Sequence, residues 1–146
     1  MQLATSKRDI MNFFLAKTDP DTYEFDQLEK DGKTLWDGVK NPQAQQAIRQ
    51  MQDKDCVLVY HSGGESEIVG WGYVDGSVRA DAKDPRLSVF DLRFGGKFKE
   101  RVGLKEIKGT GLFDDFLLVR NSRLSTMSVP KSFVAWLKKR TKDFRP

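Results

Sequence analysis

CVLVYHSGGESEIVGWGYV, residues 56–74, holds two β-rich runs around a pair of glycines. Cys56–His61 (CVLVYH) is dense in β-branched and aromatic residues, and Glu67–Val74 (EIVGWGYV) repeats that character. Ser62-Gly63-Gly64 supplies the turn, so the stretch reads as a β-hairpin with a longer loop. Gly70 and Gly72 flank Trp71 inside the second run. Glycine at such positions lets the backbone bend, or lets another group come close.

Outward from the hairpin, other elements follow from local signals. Asn12–Lys17 (NFFLAK) predicts a buried strand stopped by Asp19-Pro20-Asp21, and Phe25–Lys30 predicts a short helix ending before Gly32. Thr34-Leu35-Trp36 runs into the turn signal Asp37-Gly38. Asn41-Pro42 then opens a helix, with Asn41 as cap and Pro42 at the first helical position. Ala44, Ala47, Ile48 and Met51 give that helix one apolar stripe. On the far side, residues 75–86 predict an exposed loop and Leu87–Phe94 a strand, with Gly95-Gly96 as its turn. Leu104–Lys108 predicts a helical turn, Phe116–Val119 a strand, Leu124–Val129 a strand or loop, and Lys131–Arg140 a helix. Strands of this length joined by hairpins do not build a doubly wound sheet. They predict an α+β fold, a small mixed β-barrel with peripheral short helices. The expected division is a polar lead-in over 1–11, one domain over 12–140 and a basic tail over 141–146.

Composition narrows the function. A chain of 146 residues with 38% hydrophobic residues and 10 Phe can bury one sizeable core. No apolar run approaches the roughly 20 residues of a membrane span. Residues 1–11 lack a signal-peptide core, so an intracellular place is expected, cytoplasmic or, in a eukaryote, nuclear. One Cys and one His exclude an internal disulfide and the common multi-Cys and multi-His metal centres. There is no phosphate loop and no dinucleotide fingerprint, so no cofactor is expected. Charge is uneven: residues 1–96 carry 12 basic and 16 acidic side chains, residues 97–146 carry 13 and 5. A basic C-terminal third suits a polyanion, nucleic acid first. The cluster Lys138, Lys139, Arg140 and Lys142 equally suits the C-terminal end of a last helix.

Three stretches place polar groups where a plain core would not. Trp36–Ala44 (WDGVKNPQA) sets a large aromatic on a turn, with Asn41 and Gln43 around a helix start. Tyr60-His61-Ser62 ends an apolar strand with three hydrogen-bonding side chains. Arg120–Pro130 (RNSRLSTMSVP) brings Arg120, Arg123 and Ser125, and arginine can clamp a phosphate or stack on a base.

Together with FLAKTDP (Phe14–Pro20), VGWGYV (Val69–Val74) and FDLRF (Phe90–Phe94), these stretches come in the order found in one family. The chain resembles the EVE domain, a member of the PUA-like superfamily related to YTH domains, from about Asn12 to Leu137. It departs from the family pattern in having Thr18-Asp19-Pro20 for Ser-Glu-Pro, Gln45-Gln46 for Arg-Asn, and Ser128 for Pro. The resemblance implies a curved barrel with a pocket between barrel and helices. It implies a non-catalytic reader of a modified base, modified cytosine favoured, in DNA or RNA. Carried over, Trp36 walls the pocket, and Asn41 and the Tyr60-His61-Ser62 end face the same cavity. Lys17, Arg123 and Ser125 edge it, with Gln43 and Arg120 nearby. Trp36→Ala is expected to remove binding with little loss of fold. A monomer is expected, with no membrane partner. Two other readings use the same residues: an enzyme acting on a base or nucleotide through His61, and a small-molecule-binding module.

Overall fold

The computed structural model describes residues 10–146, so most of the polar lead-in lies outside the described residues. The chain runs β1 (Phe13–Thr18), α1 (Phe25–Asp31), β2 (Lys33–Trp36), α2 (Pro42–Gln50), β3 (Cys56–His61) and β4 (Glu67–Val74). It continues with β5 (Arg79–Ala80), β6 (Ser88–Gly103), α3 (Leu104–Gly109), α4 (Leu117–Arg120), β7 (Thr126–Ser128) and α5 (Lys131–Arg140). The strands order as β2-β6-β4-β3-β1-β7, with β5 paired to β6. β1 and β3 run parallel, and the other pairs are antiparallel. The fold is α+β, as the strand and helix signals predict.

The sheet does not close into the expected barrel. β2 and β7 are its two ends, and no pairing joins them among the described residues. Closure would need a ladder between a four-residue and a three-residue strand, and α2 packs against β7 instead. Both faces of the sheet are covered. One face carries Leu15, Leu58, Trp71 and Phe98 against α5 residues Phe133 and Leu137. The other carries Phe14, Val57, Val59 and Phe90 against Phe25 and Leu28 of α1 and Ile48 of α2. Every residue of β3 is therefore buried, which explains its uninterrupted apolar run.

Two sequence expectations are corrected. Gly95-Gly96 is not a turn; both lie inside the sixteen-residue strand β6. The indole of Trp71 occupies the space above them, and a Cβ on Gly95 would stand 2.7 Å from the Trp71 ring. Phe116–Val119 is not a strand. Phe116 precedes α4, and the Arg120 N–H donates to the Phe116 carbonyl at 2.9 Å. Beyond α5, Phe144 is buried and packs edge-on against Trp71, ring centroids 5.0 Å apart. No helix among the described residues is long and apolar enough to cross a membrane.

Candidate functional site

The hydrophobic stripe of α2 and the alternation of β1 and β2 bring Trp36 to a corner of the sheet. Trp36 is buried and lies nearly parallel to Phe90, its ladder partner on β6, with ring planes 24° apart. Beside it opens a cavity of about 330 Å³, lined by Thr18, Thr22, Tyr23, Thr34, Leu35, Trp36 and Asp37. That size is at the lower end of small-ligand pockets, about 300–1,000 Å³. Its lining combines one indole wall with three hydroxyls, a phenol and a carboxylate. Thr18 closes the inner end: its Oγ1 donates to the Tyr23 carbonyl at 3.3 Å. The Tyr23 hydroxyl donates to Asp31 at 3.2 Å.

Alternation along the strands separates residues that the sequence groups together. Lys17 pairs with Tyr60, and Thr18 with His61. Successive side chains leave opposite faces of a sheet, so Tyr60 and His61 do not share a cavity. Tyr60 joins the α5 side of the core, where Lys17 Nζ lies 5.4 Å over its ring and donates to the Ser122 carbonyl at 3.0 Å. Burial lowers the Lys17 pKa and raises that of Tyr60. The loop carrying Ser122, Arg123 and Ser125 is held to β1 by the Lys17 N–H donating to the Ser125 carbonyl at 2.8 Å. Arg123 and Arg120 are exposed, Arg120 3.9 Å from Asp115.

His61 faces the α1 side and is only 1% exposed. The Phe25 N–H reaches its Nε2 at 3.2 Å, so that nitrogen accepts. Nδ1 then carries the proton and donates to Glu65 at 3.1 Å. Both ring nitrogens are engaged, and His61 ties α1 to the turn after β3. Ser62 donates its N–H to the Thr18 carbonyl at 3.0 Å, which locks the ends of β1 and β3 together. Asn41 is the helix cap that its position before Pro42 predicts: Oδ1 accepts the N–H groups of Gln43 and Ala44 at 2.9 and 3.0 Å. Gln43 is exposed on the first turn. Cys56 is fully buried, and burial pushes its thiol pKa far above the ordinary value, so it is inert.

Thus Trp36 lines the cavity, Lys17 and Tyr60 leave the sheet on the opposite face, the loop of Arg123 and Ser125 is tied to β1 by its backbone, and Asn41 and His61 hold backbone. The residues that join Trp36 were missed in the sequence: Thr18, Thr22, Tyr23, Thr34, Leu35 and Asp37. Thr18 was within reach of pattern reasoning, because Phe14, Ala16 and Thr18 share one face of β1. Tyr23 and Thr22 carry no such signal; they arrive from the connection between β1 and α1.

The fold and this corner define a small α+β domain with an aromatic-walled hollow at the rim of an open, doubly covered sheet. The EVE domain model matches residues 12–140, and the chain belongs to that family. Among curated proteins it is similar to thymocyte nuclear protein 1 of Rattus norvegicus, 26% identical, the match covering 71% of this chain and 58% of that protein. The Mus musculus protein is also 26% identical, over 69% and 57%. The chain therefore spans less than two thirds of the length of these curated relatives. Among solved structures it is similar to a Rhodopseudomonas palustris protein, with a TM-score of 0.86, 25% identity and coverage of 93% and 97%. A Pseudomonas syringae protein gives 0.79, 30%, 88% and 99%. The human THYN1 protein in complex with 5-methylcytosine containing DNA shares the fold at 0.80, with 19% identity and coverage of 92% and 99%.

Proposed function

We propose that this domain binds nucleic acid, DNA or RNA, and receives one unstacked base, a modified cytosine in the first instance, in the Trp36 cavity. The observation that carries this reading is the cavity itself, an indole wall with hydroxyls and a carboxylate around about 330 Å³, in an EVE domain. The human protein that shares the fold, solved with 5-methylcytosine containing DNA, supports it. A base stacked on an aromatic ring gains roughly 1–3 kcal/mol. The Asp37 carboxylate is of the type that accepts from the exocyclic amine of cytosine. Lys17, Arg120, Arg123 and Ser125 contact the strand beyond the base. Asn41 holds the start of α2, His61 and Ser62 hold backbone around the strand ends, Tyr60 packs in the core, and Gln43 lies exposed on the first turn of α2.

The expectation that Trp36→Ala spares the fold does not hold in this packing. Trp36 is 8% exposed and packed on Phe90, so its truncation costs about 3–5 kcal/mol of fold. Thr22 is exposed and lines the cavity, so Thr22→Trp plugs it without disturbing the core. Binding is measured by fluorescence anisotropy against short DNA and RNA, single- and double-stranded, unmodified or carrying one modified base. Preference for a modified member, lost in Thr22→Trp with the melting temperature unchanged, is the expected result. A plugged variant that binds and discriminates as before rules out this cavity.

A further inference from the structure

A second hollow, about 340 Å³, opens between the segment after β2 and the segment before β6, lined by Lys40, Asp84, Arg86 and Leu87. Its position follows from the sheet. β2 and β6 pair antiparallel as far as Trp36 and Phe90, and beyond them the two segments part. Gln45 of α2 fills the gap, 2% exposed. Its Nε2 donates to the carbonyls of Val39 at 2.7 Å and Ser88 at 3.1 Å, and its Oε1 accepts the Ser88 N–H at 2.7 Å. One side-chain amide thus does what a continued ladder would do. Arg49, one helical turn on, donates to Gln45 Oε1 and to the Arg86 carbonyl, each at 3.3 Å.

Two cations, Lys40 and Arg86, thus line the hollow, and a third, Arg49, stands beside it, fixed to Gln45 and to the Arg86 carbonyl. A single carboxylate, Asp84, answers them, paired to Arg86 at 3.0 Å. Lys40 and Arg49 have no carboxylate within ion-pair distance among the described residues. Lys40 and Asp84 line the same hollow, and Arg86, with a smaller part from Lys40, draws the Asp84 carboxyl below its ordinary pKa. Cations gathered with too few counter-charges repel one another, and an arriving anion relieves that repulsion. Guanidinium forks match the paired oxygens of a phosphate. Lys40 lies four residues past Trp36, so their backbones are at most about 14 Å apart. At about 3.4 Å per stacked nucleotide, that span is a few nucleotides.

We propose that Lys40, Arg49 and Arg86 grip a backbone phosphate of the same strand whose base enters the Trp36 cavity. The inference rests on the nucleic-acid reading above. It places the strand's path along the β2–α2 and β5–β6 connections, a face that the basic C-terminal third does not supply. Asp84 acts here as a competitor that Arg86 must leave, or share, when phosphate arrives.

The test is anisotropy of a fluorescent single-stranded DNA containing one 5-methylcytosine, titrated with the full chain across a salt series. The double variant Lys40→Gln/Arg86→Gln is expected to weaken binding about tenfold. It should flatten the slope of log affinity against log salt by roughly 0.7, the share of the one phosphate released, and leave the preference for the modified base intact. Asp84→Asn is expected to tighten binding several-fold. A double variant with wild-type affinity and salt slope overturns the phosphate grip while leaving the cavity reading standing. Wild-type protein that binds no oligonucleotide overturns both.

Discussion

Gly96 carries no side chain because the Trp71 indole lies where a Cβ would go. The same crowding at Gly95 turns what reads as a hairpin signal into a packing requirement. Adjacent glycines mark turns often enough that the sequence points there first. Only the aromatic on the neighbouring strand distinguishes the two uses. Gly96→Ala should therefore cost about 1–3 kcal/mol, the usual range for overpacking, in urea unfolding. His61 teaches the converse lesson. Alternation puts it on the face of Val57 and Val59, but both faces of β3 are apolar, so the pattern alone does not say what that face meets. The identity of its partners, the Phe25 N–H and Glu65, could not be read, because neither α1 nor the turn has a fixed relation to β3 in the sequence.

At the scale of elements, α2 shows what local signals carry and what they omit. Asn41, Pro42 and the apolar stripe specify where the helix starts and which face it buries. Gln45 reads as a departure from the family pattern, yet it is the residue that joins the helix to both flanking segments. Gln45→Leu would bury the Ser88 N–H and two carbonyls without partners, at about 1–3 kcal/mol each. We expect a loss of several kcal/mol in denaturant unfolding, larger than for Gln46→Leu on the exposed side of the same helix. Phe116–Val119 reads as a strand in the sequence and is not one, for a simple reason. Four consecutive apolar residues fit a strand or a helical turn equally, and here Phe116 reaches the core from just before α4 and Leu118 from within it.

Over the whole molecule, charge does two jobs. Part of the basic C-terminal third is structural: Arg140 donates to both oxygens of Glu106 at 2.8 and 2.9 Å and to the carbonyls of Glu100 and Arg101, fastening α5 to β6 and α3. The guanidinium holds the Glu106 carboxyl below its ordinary value of 4.5, and Lys97 does the same for Asp26. A carboxyl with a depressed folded pKa stabilises above its unfolded value, and that stability disappears as pH falls through the folded one. Asp55, raised by burial, works in the opposite direction. Thermal melts should therefore show Arg140→Gln destabilised at neutral pH, with the gap to wild type closing as pH drops below 4.5. By itself the sequence determined the α+β class, the central hairpin, the capped helix α2, the EVE family and the uneven charge, because each rests on spacing within one element or on motifs in order. Tertiary structure alone decided that the sheet stays open, that Lys17 and Tyr60 part from Trp36, and that Thr18, Thr22 and Tyr23 join it. It also set Lys40 and Arg86 around one hollow, with Arg49 fixed beside it through Gln45. Those outcomes depend on which strands neighbour one another and on which face each residue then leaves, and both are set by packing between segments far apart in the chain.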